Sequence, residues 1–405
     1  MGGPDRSAVV ATLALALAAL GASCSAPKAQ EGPRPIVVVV TPAEAAAPVE
    51  FRGAEALVGA YSAKDSKVEL SHAVLPGMAK PGGRPEAVVA SFIAEAASDA
   101  RVKAIVVDPA LPGSAEGLRR SKLSKPGLLC VSGGSREDVL GIEASADLVV
   151  DLDRVYRAYL IPWAAKKMGA KALVAAYAQG EYAEPASARE RAIMSAASAD
   201  LGLRYAAMTA PSGADAAAYA RAMTGAWLRD YGPDASLYCS DGDLAGTILA
   251  GAIAGGGIVV DEAGRATRAA YAAALGIDLG PAKGDAGKER KLLERALAAL
   301  GGRGRYGEWD ADYAEACVEG LGEFALRVVA GAARKDDLKD LVAALDARSP
   351  GAAWIAAYDV DPETGVKSAN RVLVRQDVYV FGSGYLQSAL QAVPEKYLAI
   401  RAPGP

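Results

Sequence analysis

The chain has 405 residues, 52% of them hydrophobic, and carries a formal net charge of −4. That is ample for one large core or two smaller ones, and it leaves no electrostatic footprint for nucleic acid. A single histidine excludes histidine-rich metal sites, and no two of the four cysteines have the close spacing of a zinc or redox motif.

Met1 to Arg6 is short, polar and positive, and Ser7 to Leu20 then runs apolar almost without break. The stretch is shorter than the about 20 apolar residues needed to span a bilayer. It has the size and order of a secretory signal, closing on the small residues Gly21-Ala22-Ser23. Cys24 follows, and the group resembles a bacterial lipobox with its leucine one place further back than usual. The expectation is a signal peptide over 1–23, a lipid on Cys24 and a Pro-containing mobile tether over 24–35. Nothing later in the sequence reads as a membrane span, so the mature protein is expected to be exported and held at the membrane by its lipid.

Short apolar runs then alternate with helical patterns. Strands are expected at Ile36–Thr41, Lys67–Val74, Val102–Val107, Gly127–Val131 and Ala146–Val150, with helices at Phe51–Tyr61 and Pro85–Ala97. Continuous apolar strands separated by helices indicate a parallel sheet covered on both faces. The pattern restarts with helices at Tyr156–Met168, Ala188–Leu201, Ala214–Tyr231 and Leu244–Ile253. Strands fall between and after them at Ala170–Tyr177, Leu203–Thr209, Ser236–Cys239 and Gly257–Val260. Two successive βα arrays predict an α/β fold of two doubly wound, Rossmann-like lobes with a cleft between them, over 36–152 and 153–285. Cys130 and Cys239 sit inside strands and read as buried free thiols. The remainder, 286–405, has long helices at Lys288–Leu300 and Asp310–Val329 and a shorter one at Asp336–Ala347. A strand at Ala353–Tyr358, a turn at Asp361–Gly365 and a β-rich stretch at Arg371–Phe381 follow. This tail is expected to pack across the lobes.

Three pattern matches fail on context. Gly302-Arg303-Gly304-Arg305-Tyr306-Gly307 has the dinucleotide spacing but follows a helix rather than a strand, and reads as a flexible interhelix loop. Lys283–Lys288 lacks the first glycine and the hydroxyl of a phosphate loop. The run Asp359, Asp361, Glu363 lacks the glycine and the final glutamate of a calcium loop. No cofactor is expected.

In open α/β sheets ligands bind outside the carboxyl ends of the strands. The residues there are Thr41, His72, Asp108, Ser132 with Gly134, and Asp151 in the first lobe, and Tyr177, Gln179, Thr209 and Asp241 in the second. Such groups suit a small polar ligand, although each type also closes ordinary loops. The excess of acids over bases favours a neutral or cationic ligand.

The segment Ala146–Asp151 followed by Ile161–Val174 resembles the crossover between lobes in type I periplasmic binding proteins. Val102–Val107 with Leu111-Pro112-Gly113, Ala146–Val149 and Ala165–Lys171 narrow this further. They resemble an uncharacterised bacterial domain-of-unknown-function family of that fold, some members of which carry a transcriptional-regulator label. The resemblance covers 36 to 260 and implies ligand binding between two lobes, with no assigned ligand or catalytic residue. After Tyr177, where relatives carry a basic pair, this chain has Gln179-Gly180-Glu181-Tyr182. The regulator label fits poorly with an export signal where a helix-turn-helix would stand. The expectation is a non-enzymatic lipoprotein that presents a small polar solute to an ABC-type membrane permease. A lipoprotein signalling to a membrane receptor is the alternative, and an enzyme using Asp108, Asp151 or His72 a third reading.

Overall fold

The computed structural model describes residues 33–62, 66–76, 85–211, 215–240, 242–260, 268–283, 285–361 and 364–401, with 242, 243 and 389 described by backbone alone. The expected signal peptide, Cys24, most of the tether, Asp241 and Pro362-Glu363 lie outside the described residues. Pro35 to Pro405 forms one compact unit.

The first lobe alternates β1 (Ile36–Pro42), α1 (Pro48–Ser62), β2 (Glu69–Leu75), α2 (Pro85–Ala96), β3 (Val102–Val107), α3 (Ser114–Ser124), β4 (Leu129–Gly133), α4 (Val139–Ser145) and β5 (Leu148–Leu152). The strands pair in parallel in the order β2-β1-β3-β4-β5. Their side chains alternate between two cores: Val37 and Val39 enter one, Val38 and Val40 the other. That is why β1 is apolar at every position rather than at every second one.

The second lobe repeats the plan with α5 (Arg154–Lys167), β6 (Ala172–Ala178), α6 (Gln179–Tyr182), α7 (Pro185–Asp200), β7 (Arg204–Ala210), α8 (Ala216–Tyr231), β8 (Ala235–Cys239), α9 (Gly242–Gly255) and β9 (Ile258–Val259). Its parallel sheet runs β7-β6-β8-β9. Then come α10 (Arg268–Leu275) and α11 (Ala286–Ala299). The Gly302–Gly307 segment is not a loop between helices. Tyr306 bridges to Val259, Gly307 opens a strand, and the Arg305 guanidinium is tied to Asp234 and to the carbonyls of Pro233 and Gly256.

The tail is β10 (Gly307–Glu308), α12 (Tyr313–Val329), α13 (Leu338–Arg348), β11 (Ile355–Val360), β12 (Lys367–Arg375), β13 (Tyr379–Val380), β14 (Gly384–Tyr385) and α14 (Glu395–Leu398). Residues 286–405, expected to pack across the lobes, contribute to the cores of both. Leu293 and Leu297 of α11 complete the second lobe's core, while α12 and α13 bury Val318, Leu321, Phe324, Leu341 and Leu345 in the first lobe's core. Strand β12 pairs in parallel with β5, and β11 closes that edge antiparallel. A side chain at Gly322 would collide with Leu57 and Val39, so glycine there lets α12 lie close on α1 and β1. Tyr397 of α14 returns to the second lobe. Cys130, Cys239 and Cys317 are buried, and none is in a disulfide among the described residues. Among the described residues no helix is long and apolar enough to cross a membrane.

Candidate functional site

Strands β10, β13 and β14 form a small third sheet, and the chain passes three times between the first lobe's sheet and the rest: from β5 into α5, from β10 into α12, and from β12 into β13. These passes are laced together. Asp153 N–H donates to the Val374 carbonyl at 3.0 Å, and the Asp153 side chain caps α5 by accepting from Tyr156 N–H at 3.0 Å. Arg375 reaches Asp153 at 3.3 Å and stacks 3.9 Å over the Tyr156 ring. Gln376 is fully buried; its amide donates to the Ala311 carbonyl at 3.0 Å and accepts from Ala311 N–H at 3.2 Å, like one rung of a sheet. Gln376→Ala would strand both Ala311 groups away from water, so a loss of about 1–3 kcal/mol is expected. Chemical unfolding should show it, together with faster amide exchange confined to the three passes.

The carboxyl ends of the first lobe's strands gather a buried acidic group. Asp108 is 2% exposed, and the tips of β4 close over it: a side chain at Gly133 or Gly134 would press on its carboxyl oxygens. Its Oδ2 has no hydrogen-bond partner among the described residues. Burial, then Glu50 and Asp151 nearby, push the Asp108 carboxyl up to about 8, against a hydrogen bond from Cys317 and the charge of Arg136. Glu50 stands in the first turn of α1 with Arg136 at 3.5 Å. Asp151 accepts from Ser135 N–H at 2.9 Å and from Arg371 at 3.0 Å. The N-terminus of α3, which could hold an anion, is already filled: Glu137 accepts from the N–H groups of Gly113 and Ala115.

Glu181 and Ser240, just past strand ends of the second lobe, meet Arg154 at the start of α5. Ser240 Oγ donates to Glu181 at 2.6 Å, and Arg154 makes only long contacts, 3.3–3.5 Å, to Glu190, Ser187 and Glu181. Beneath them Glu190 is enclosed and receives both bonds of Arg157 and one from Tyr238 at 2.9–3.0 Å.

The expected site residues therefore separate. Asp108, Gly134 and Asp151 come together at the first lobe's rim, and Gln179 and Thr209 are exposed at the second lobe's strand ends. His72 is not at a strand end: it pairs with Val39 in mid-strand. Its ring packs edge-on to Phe51, with Nε2 2.8 Å from Thr41 Oγ1 and Nδ1 2.5 Å from Glu55. Both ring nitrogens and the buried Thr41 hydroxyl are thus engaged inside the lobe. Tyr177 is also enclosed, donating to Met194 Sδ at 3.4 Å, and Ser132 is fully buried on the side of Cys130. Thr41, Ser132 and Tyr177 are each the second-last residue of a strand and point into a core because the alternation of faces continues to the tip. Sequence reasoning missed Glu50, Arg154, Glu181 and Gln376: the first three stand in the first turn of a helix and Gln376 directly follows a strand. Among the described residues no cluster of His, Cys, Asp and Glu is arranged to hold a metal ion.

A protein-family model described as a protein of unknown function, DUF3798, matches residues 36–307. The chain belongs to this family. A second family model matches residues 318–400. An uncharacterised protein of Treponema pallidum (strain Nichols) is 31% identical over 214 residues, 51% of this chain and 97% of the relative. Among solved structures, a protein provisionally described as a transcriptional regulator from Clostridium difficile 630 superposes with a TM-score of 0.70 at 17% identity. It covers 86% of this chain and 99% of its own. At that identity the likeness shows a shared fold. A periplasmic solute-binding protein of an ABC transporter from Actinobacillus succinogenes 130z, with bound D-allose, is similar at a TM-score of 0.46 and 16% identity, over 74% and 93% of the two chains. The DUF3798 chain is a two-lobed α/β protein that shares its fold with the Clostridium difficile protein.

Proposed function

We propose that this DUF3798 protein is an exported, lipid-anchored solute-binding protein that closes its lobes on a small polar ligand and presents it to an ABC-type permease. The observation that carries the reading is the laced hinge: two lobes, each built on its own largely parallel sheet, joined by three short passes whose side chains bond to one another. A ligand touching both rims favours the closed arrangement and needs no chemistry to do so. The apolar N-terminal segment ending at Cys24 supports export and anchoring. The acidic rim around Asp108 and the filled α3 terminus favour a neutral or cationic ligand over a phosphate.

Thermal unfolding of Pro35–Pro405 against sugars, nucleosides, amino acids and amines tests this. A ligand of the native state alone adds roughly 2.7 kcal/mol at a hundredfold excess over Kd. A concentration-dependent rise in Tm confined to one chemical class is expected; folded protein that answers to none of them would remove the reading. The similarity to a protein described as a regulator motivates a second reading, in which the same closure signals to a membrane receptor. Solute accumulation by cells with and without the gene separates the two.

A further inference from the structure

Asp108 sits where three parts of the first lobe meet. Its carboxyl lies under the Gly133-Gly134 tip of β4, beside Cys317 on the second turn of α12, and among the carboxylates of Glu50 and Asp151. Helix α12 leaves one of the three passes directly: Asp312 caps it, and the Tyr313 hydroxyl donates to the Val150 carbonyl of β5 at 3.3 Å, next to the start of another pass. Cys317 Sγ lies 3.7 Å from that hydroxyl. The junction therefore connects the ligand-facing strand tips to the root of the hinge through enclosed side chains.

We propose that Asp108, Tyr313 and Cys317 form a proton-controlled latch, closed while the Asp108 carboxyl holds its proton and loosened when that proton leaves. The groups facing Asp108 decide the sign. Glu50 from α1 and Asp151 from β5 oppose its ionisation, and Arg136 from the loop after β4 favours it. Cys317 and Tyr313 from α12 are buried and held neutral, both pushed well above their ordinary range by burial first. Arg136 is more than half exposed and already paired with Glu50, and Arg371 is bound to Asp151 and Asp359, so neither replaces the lost proton fully. An ionised Asp108 would be enclosed with one oxygen unpartnered among the described residues and opposed by the charges of Glu50 and Asp151, a cost that separating its surroundings, the start of α12 among them, would relieve. The folded-state value is raised, so the stabilising effect of the proton is complete below the ordinary carboxylate range and lost as pH rises to about 8.

This inference deepens the two-lobe binding reading but is tested without any ligand. Amide exchange of the full chain, corrected for intrinsic pH dependence, is followed at residues 313–318 between pH 6.5 and 9.5. Protection there should fall about tenfold as pH rises, while the second lobe's strands stay constant. Asp108→Asn should remove that response, and Glu50→Gln should shift its midpoint to higher proton release, that is, to lower pH. Flat protection in the wild type, or an unchanged response in Asp108→Asn, overturns the latch. Should Asp108→Asn not fold, an unshifted midpoint in Glu50→Gln overturns it equally. None of these outcomes depends on solute binding, so failure of the latch and failure of the binding reading are told apart.

Discussion

A fragment ending at Gly307, where the family match ends, should not fold into a stable first lobe. Its five parallel strands would keep their own helices but lose the cover of one face. That cover is α12 and α13, which place Val318, Leu321, Phe324, Leu341 and Leu345 at 0–1% exposure against Val37, Val39, Val106 and Val131. The fragment also loses β12, whose Val372 and Val374 are fully buried and whose backbone pairs with β5 from Arg371 to Val374. Each such side chain stabilises the fold by about 1.5–3 kcal/mol. Seven of them therefore contribute about 10–20 kcal/mol, comparable to or above the about 5–15 kcal/mol that separates a native domain from its unfolded chain. Circular dichroism melting should show no cooperative transition for the first lobe in the fragment, and a cooperative one in the full chain. A sharp native-like melt of 36–307 would contradict the division of the tail described above. The same dependence gives the C-terminal third a clear role: it builds one wall of the first lobe and two of the three passes.

Arg157→Met should destabilise the protein by about 3–5 kcal/mol at neutral pH, because it leaves Glu190 charged and enclosed without its main partner. Arg157 is 5% and Glu190 2% exposed, and the guanidinium reaches both carboxyl oxygens at 2.9–3.0 Å. Burial alone pushes the Glu190 carboxyl upward. The charges of Arg157 and Arg154 and the bonds from Arg157 and Tyr238 outweigh it and hold the group below the usual carboxylate range. A depressed folded value means stability present above the unfolded value and lost as pH falls through the folded one. Without Arg157 the direction reverses: Glu190 takes up a proton, and the deficit shrinks on acidification. Urea unfolding at pH 7.5 and pH 4.5 should give a clearly smaller difference from wild type at the lower pH. Arg157→Met combined with Glu190→Gln should recover much of the loss. An equal deficit at both pH values would mean that lost packing, not the stranded charge, is the cause.

Much of this architecture could be read directly from the residues. Runs such as Val37–Val40 and Ile105–Val107 announce buried parallel strands because a short, continuous, β-branched apolar run is a local signal of a strand covered on both faces. The restart of alternating helices and strands from Tyr156 announced the second array in the same way. Helices α3, α4 and α10 were missed. α3 is strongly polar with few apolar positions, and α4 is only two turns long, so their periodicity is too weak to register.

The residues at strand ends show where local reading stops. Position after a strand places Thr41, Asp108, Ser132 and Tyr177 near the cleft, but the face each occupies follows from register and from what covers it. Thr41 and Tyr177 turn inward, His72 lies mid-strand, and Asp108 is roofed by glycines 25 and 26 residues away in the chain. The sequence by itself determined two βα arrays, their strand order of appearance and the chemistry of their tips, since those depend on neighbours a few residues apart. Only the tertiary structure decided that the tail completes the first lobe, that Gln376 ties the passes together and that Glu190 and Asp108 are enclosed. Each of those depends on contacts between segments tens to hundreds of residues apart, which no local period or motif encodes.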